Sequence, residues 1–438
     1  MRASLIQIWL RLQSSYYFIP TLMVLGAVLL ATATTQIDLA YQTEIADGLG
    51  WFLAGTAAGA RSILGAIAGS MISVAAVTFS LTMVAVTTAA GQYGPRLIGN
   101  FMRDRANQVT LGTFLATFLY ALLMLRNVSA LQEDGEIGLV PSLSVLVALL
   151  LTLFSVGVLI HFIHHIPETL NVGTITGNVA RKLNKRIRTG VFPVADGLEA
   201  VECNRLGDPF TPGETQTVRT REAGFVEAVS LKGLVEWADS NALKVRLACA
   251  PGDFLFTGAP LLDVVPDMPD AVPEADIQDK ARSFFAQGPE RTEFQNVLFL
   301  ADELVEIAAR ALSPGVNDPF TAINCIHWFG EACVAMMEAE APATCVGLPD
   351  GAPRLWTQAV GFERLCGVLF GQCRQYICED ENAARAAFRT LYALKARAPS
   401  RHEGVVDGEI AALKDAVAQG GLGEAQKARL RSGPPFRY

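Results

Sequence analysis

No charged residue occupies the 34 positions between Arg61 and Arg96. A stretch that long excludes an ordinary solvated surface helix, which needs charges on one face. Cysteine never occurs as C-x-x-C, and no His sits at zinc-ligand spacing from a cysteine, which excludes the common structural zinc and redox motifs. A P-loop, G-x-S-x-G, H-E-x-x-H and G-x-G-x-x-G are all absent, so the sequence predicts no enzyme, no catalytic residue, no cofactor and no metal. A basic stripe with interleaved aromatics is also missing, which argues against nucleic acid as a partner.

The sequence does have apolar length, unevenly distributed. The mean hydropathy of +0.32 exceeds that of ordinary soluble proteins. Residues 1–189 carry 12 Lys+Arg against 8 Asp+Glu, and the remainder carries 23 against 35. A slightly basic, hydrophobic front therefore joins an acidic back. Four uncharged stretches, about 16–36, 62–91, 107–125 and 139–163, are long enough to span a bilayer. Only helices can cross singly, because every backbone group must be satisfied internally. Arg2 and Arg11 before the first run could mimic a signal peptide, but no convincing cleavage site follows, so it reads as a retained helix. Gly48–Ala60 is too short to span and reads as interfacial.

Basic residues set the expected orientation. Arg2 and Arg11, then Arg96, Arg103 and Arg105, then Arg181, Lys182, Lys185, Arg186 and Arg188 alternate with loops holding Asp38, Glu44, Asp47, Glu133, Asp134 and Glu136. The positive-inside rule puts both termini in the cytoplasm of a bacterial cell, with the chain multi-pass in the inner (plasma) membrane. All eight cysteines lie in the back part and read as free buried thiols in a reducing compartment.

The second span carries a polar stripe. Ser73, Ser80 and Thr87 recur every seven residues, and Ser70, Val77 and Val84 fill the same side. Small residues, including Gly65-x-x-x-Gly69, fit close helix approach. Either the hydroxyls bond neighbouring helices or their own i−4 carbonyls, or they line a pore. Four helices enclose too little space for an aqueous path, so a pore requires several subunits around an axis. Gly91-Gln-Tyr-Gly-Pro95 ends the helix, and Gln92, Arg96 and Arg103 would form a cytoplasmic mouth favouring anions; positive-inside anchoring is the plainer alternative. His161 and His165 share a face near the end of the fourth span, and no carboxylate or thiol lies near enough in sequence to complete a metal site.

Residues 168–190 read as an amphipathic connecting helix whose basic face meets the anionic leaflet. Residues 191–275 read as a small β-rich, barrel-like domain, with GFVEAV (224–229), LKVRLAC (243–249) and FLFTGAPLLDVV (254–265) as strands and turns at Pro251-Gly252-Asp253 and Thr257-Gly258. The PGDFLFTGAPLLDV phrase is weakly similar to the hairpin of biotinyl/lipoyl-type barrels, without their modified lysine. Residues 276–438 read as helical to the end: Asp276–Ala286, Glu293–Leu312, Pro319–Ala339, Pro353–Glu379, Glu381–Ala398 and Gly408–Arg431. Asp318-Pro319 places a favoured N-cap before Pro at N1. The loop with Arg310, Ser313, Asn317 and Asp318 is a structural turn or a ligand loop.

RALSPGVNDPFTA (310–322), preceded by Arg291-Thr292 and Phe294-Gln295, resembles the signature of a bacterial family of predicted membrane proteins, domain of unknown function 2254. The 78–104 stretch and the HFIHHI cluster at 161–166 resemble its pattern as well. The resemblance implies an integral membrane protein and supplies no catalytic residue. The expected fold is therefore an α-helical membrane protein of four transmembrane helices with a cytoplasmic α+β part. The expected function is a homo-oligomeric inner-membrane ion channel or pore-forming transport protein, with lipid and ions as partners. The alternative is a non-conducting membrane-anchored sensor or scaffold that binds a ligand or protein.

Overall fold

The computed structural model describes residues 16–40, 57–94, 104–133, 142–190, 198–201, 209–210, 215–266, 274–339 and 343–432. The chain divides into two compact units; of the described residues, one holds those up to Gly91 and from Asp104 to Asn171, and the other holds those from Val172 onward together with Gln92–Gly94.

The first unit is four helices: α1 (Phe18–Ala40), α2 (Ala57–Tyr93), α3 (Arg105–Glu133) and α4 (Ser142–Leu170). Each contains a segment long and apolar enough to cross a membrane. At 1.5 Å per residue α2 runs about 55 Å, well beyond a hydrocarbon core of about 30 Å. One core joins the four: Ala27 and Ala31, then Leu64, Ile67, Ala68, Met71 and Ala75, then Phe114, Tyr120, Ala121 and Met124, then Val145 and Ala148. Helices α1 and α3 pack closely, because Gly112 faces Met23 and the backbone of Pro20, where a Cβ would come within 2.6 Å of Met23 Sδ.

Buried polar groups tie this unit together. Tyr120 is fully buried; its hydroxyl lies 3.0 Å from Thr34 Oγ1 and donates to the Ser144 carbonyl at 3.2 Å. Asp38, expected in a loop, is the third-from-last residue of α1 and is buried. Its carboxyl oxygens accept from the backbone N–H of Leu143 at 3.1 Å and of Ser144 at 3.0 Å. They cap the first turn of α4, where four N–H groups lack partners within the helix.

The second unit is mixed α/β. Helix α5 (Val172–Arg188) buries Ile175, Val179, Leu183 and Ile187 along one side. The strands are β1 (Glu199–Ala200), β2 (Gln216–Arg219), β3 (Gly224–Val229), β4 (Leu243–Leu247), β5 (Phe254–Leu255), β6 (Pro260–Pro266), β7 (Phe285–Gly288), β8 (Cys345–Gly347) and β9 (Leu355–Trp356). One sheet runs β1-β8-β9-β4-β6-β2 and the other β5-β3-β7. All pairs are antiparallel except β4 with β9. The barrel-like expectation is corrected: both sheets are open, and the larger is completed by strands drawn from beyond residue 340. Strand β4 buries Leu243, Val245 and Leu247 and turns Lys244 and Arg246 toward its other face, the period of two that the sequence displays. The turns at Gly252 and Gly258 hold φ of +96° and +82°, which glycine adopts without a Cβ penalty.

Helices α6 (Leu231–Ser240), α7 (Glu274–Arg282), α8 (Val297–Ala311), α9 (Pro319–Glu338), α10 (Phe362–Cys366), α11 (Arg374–Ile377), α12 (Glu381–Arg397), α13 (Ser400–Gln419) and α14 (Glu424–Ser432) complete the unit. The expected helix Pro353–Glu379 is instead strand β9, then α10, a π turn at Gly367–Gly371, and α11. The expected Gly408–Arg431 helix is divided between α13 and α14 by Gly420 and Gly421.

The all-thiol expectation fails at one position. Cys345 is disulfide-bonded, so it gives no support for a reducing compartment. Cys249, Cys325, Cys333, Cys366, Cys373 and Cys378 are free and buried. Burial pushes the Cys249 and Cys373 thiols up to about 12 and raises Cys325 as well. Hydrogen bonding with Cys366, together with burial, raises Cys333. Such thiols are poor nucleophiles.

Candidate functional site

Helix α2 divides cleanly by face. Leu64, Ile67, Ala68, Met71, Ala75, Thr78, Thr82, Val86 and Ala89 are buried at helical spacing. Ser70, Ser73, Val77, Ser80, Val84 and Thr87 are all exposed, Val77 and Val84 at 60% each. The hydroxyls that meet the rest of the bundle are therefore Thr78 and Thr82, not the seven-residue stripe. Within the stripe, Ser70 donates to the Ile67 carbonyl at 3.0 Å, Ser73 to Gly69 at 2.8 Å and Thr87 to Met83 at 2.9 Å. Gly65 and Gly69 have open space where a Cβ would stand. The small-residue motif is thus unused inside this chain, and close approach falls to Gly112 instead. Gln92 is exposed in the last turn of α2, while Arg96 and Arg103 lie outside the described residues.

The ends of α2 and α4 enclose an apolar groove of about 320 Å³ between Leu81, Val84, Ala85 and Thr88 on one side and Phe162, Ile163, Ile166 and Pro167 on the other. Nearby, His161 and His165 stack with ring centroids 5.7 Å apart. The expectation of no nearby carboxylate is corrected: Glu168, one turn on, lies 3.3 Å from His164 Nε2 through its Oε1, and the fold brings Asp104 Oδ2 from 61 positions away to 2.8 Å from His165 Nε2. Among the described residues no group of three or more His, Cys, Asp or Glu could hold a metal ion.

The loop between α8 and α9 is closed by its own bonds. The Asp318 side chain accepts from the Thr321 N–H at 3.2 Å and caps α9. Asn317 takes φ +49°, and its N–H donates to the Ser313 carbonyl at 2.9 Å. Ser313 Oγ donates to the Arg310 carbonyl at 2.6 Å, and Arg310 Nε lies 3.5 Å from Glu306 Oε1. These contacts build a turn; Val316 and Phe320 project from it, Phe320 at 75% exposure.

A cleft that the sequence does not announce lies between α5 and α9. It encloses about 730 Å³ and is lined by Arg181, Asn184, Lys185 and Arg188 on α5 and by Asn324, His327, Trp328 and Glu331 on α9. Three residues of the basic face of α5, Arg181, Lys185 and Arg188, line this cleft within the second unit. Arg188 lies 3.3 Å from Glu331, and Asn324 Nδ2 donates to Thr176 Oγ1 at 3.1 Å. Asn184 is 9% exposed, and its Oδ1 is buried without a hydrogen-bond partner. The one trace in the sequence is that Asn184, like Thr176, falls among the buried positions of an amphipathic helix.

The family profile described as "Predicted membrane protein (DUF2254)" matches residues 13–393. The chain belongs to this family. Among curated proteins, the chain is 27% identical over 358 residues to "Uncharacterized protein MT1328" of Mycobacterium tuberculosis (strain CDC 1551 / Oshkosh), covering 78% of this chain and 64% of that protein. "Uncharacterized protein Mb1321c" of Mycobacterium bovis and "Uncharacterized protein Rv1290c" of Mycobacterium tuberculosis (strain H37Rv) match with the same identity and coverage. This DUF2254 member thus spans somewhat under two thirds of the length of the curated relatives it matches. No solved structure matches the chain.

Proposed function

We propose that this DUF2254 protein is a homo-oligomeric, pore-forming transport protein of the bacterial inner membrane, with α2 lining the path and both termini cytoplasmic. The observation that carries the reading is the exposed Ser70–Thr87 stripe. Ser70, Ser73, Ser80 and Thr87 are exposed along the middle of α2 together with Val77 and Val84, in a stretch without a charge between Arg61 and Arg96. Leucine would suit a lipid-facing surface better, and hydroxyls suit a face that meets water. Several copies arranged about an axis would bring their α2 stripes together, with Gly65 and Gly69 allowing close approach between neighbours. The reading is not enzymatic, and the expected cargo is ions.

Purified protein reconstituted in liposomes should show conductance, and Ser73→Leu with Ser80→Leu should abolish it while the protein stays folded. Unchanged flux in that double variant overturns α2 as the lining. A single copy per detergent particle overturns the pore altogether, since four helices enclose no aqueous path.

The second reading, a membrane-anchored sensor, is favoured by a different observation: the cationic cleft beside α5 and its unmet Asn184 oxygen.

A further inference from the structure

We propose that the cleft between α5 and α9 is a binding site for a phosphomonoester that also carries a hydroxyl or amino donor. This rests on the sensor reading's premise that the second unit binds a ligand, and it holds whether or not the protein conducts.

Three cations, Arg181, Lys185 and Arg188, stand at i, i+4 and i+7 on α5 and line one wall. Arg188 is engaged by Glu331 at 3.3 Å and Glu338 at 3.9 Å. Arg181 donates to Asn178 Oδ1, a neutral amide. Among the described residues no carboxylate pairs with Arg181 or Lys185. The uncompensated positive charge therefore concentrates at these two residues. A guanidinium fork and an ammonium suit the three acceptor oxygens of a phosphate.

Asn184 adds what surface charge cannot. A buried acceptor without a partner costs about 1–3 kcal/mol. Asn184 lines the cleft on the same helix as Arg181 and Lys185, so its amide belongs to the cationic wall. Because Oδ1 accepts, a fully deprotonated anion leaves it unmet; an O–H or N–H beside the phosphate satisfies it. Glu331 on the facing wall accepts a second donor and disfavours ligands anionic throughout. Trp328 offers a flat apolar surface for the remainder, and about 730 Å³ fits a nucleotide-sized molecule. The same chemistry is available from a soluble phosphomonoester or from the headgroup of a phosphomonoester lipid.

The test uses the full chain in non-ionic detergent. Equilibrium dialysis against labelled AMP probes the soluble source, and nanodiscs of phosphatidylcholine containing lysophosphatidic acid, which keeps a free glycerol hydroxyl beside its phosphate, compared with phosphatidylcholine alone, probe the lipid source. Saturable binding of either probe is expected, weakened at least tenfold by Arg181→Ala with Lys185→Ala and several-fold by Asn184→Ala. Lys414→Ala, outside the cleft, should leave binding unchanged. Asn184→Ala should keep or raise the unfolding midpoint, because it removes an unmet polar group; a lowered midpoint would assign Asn184 a structural role and overturn its part in the site. Absence of saturable binding of both probes at about 1 mM, a weak-ligand threshold near 4 kcal/mol, overturns the proposal. So does binding that survives the double alanine variant. Loss of binding in a variant that still conducts separates this site from the pore.

Discussion

Helices α2 and α3 are both apolar, both long enough to span, and both rich in hydroxyls and small residues, yet they use them in opposite directions. On α3, Gly112 lets α1 approach to backbone contact, Thr117 Oγ1 lies 3.0 Å from Ser155 Oγ on α4, and Tyr120 joins α1 to α4. On α2, Gly65 and Gly69 face open space, and Ser70, Ser73 and Thr87 bond only to their own helix. The same composition thus has two meanings. Small and polar residues of α3 hold this chain's bundle together; on α2 Ala68, Ala75, Thr78 and Thr82 are buried, while Gly69, Ser70, Ser73, Ser80 and Thr87 lie on the exposed side.

That contrast can be broken by substitution, with unfolding followed by circular dichroism in mixed micelles. Gly112→Leu should have the largest effect, a loss of about 3 kcal/mol, because Pro20 backbone cannot yield; Gly69→Leu should stay within about 0.5 kcal/mol in the dissociated chain. Equal losses would erase the distinction. Asp38→Ala should cost about 2–3 kcal/mol by stranding the amides of Leu143 and Ser144. Tyr120→Phe should cost about 1 kcal/mol, the value of a typical net hydrogen bond. Ser73→Ala should be smallest, under about 0.5 kcal/mol. A Ser73→Ala loss as large as that of Tyr120→Phe would show that the stripe already serves the single chain.

The spans were legible because uninterrupted apolar length is a local signal, and the Asp318 cap because its partner, the Thr321 N–H, is only three positions on. The capping of α4 was not: Asp38 and Ser144 are 106 positions apart, and a lone acid near a helix end reads as loop. Strands β8 and β9 span three and two residues, too short to show a period, and β9 pairs in parallel with β4 only through tertiary context. Helix α6 hid inside a segment dominated by β-like runs, although Leu231, Leu234, Val235 and Ala238 keep helical spacing. Of the expected site residues, the α2 stripe shares one face as its spacing foretells. The 310–318 loop is satisfied internally, and the cleft was missed because half its wall comes from α9, over 130 positions beyond α5.

The Asp38 cap also has a mechanical side. It rivets the end of α1 to the first turn of α4, with Tyr120 bracing the joint. About 35 Å further along α4, at 1.5 Å per residue, Pro167 stands inside the continuous helix beside the apolar groove shared with α2, and two residues before it His165 meets Asp104 at 2.8 Å. Helix α4 is therefore pinned near both ends by an aspartate from another segment, Asp38 at its first turn and Asp104 near its last, so its register against α1 and against the start of α3 is set twice.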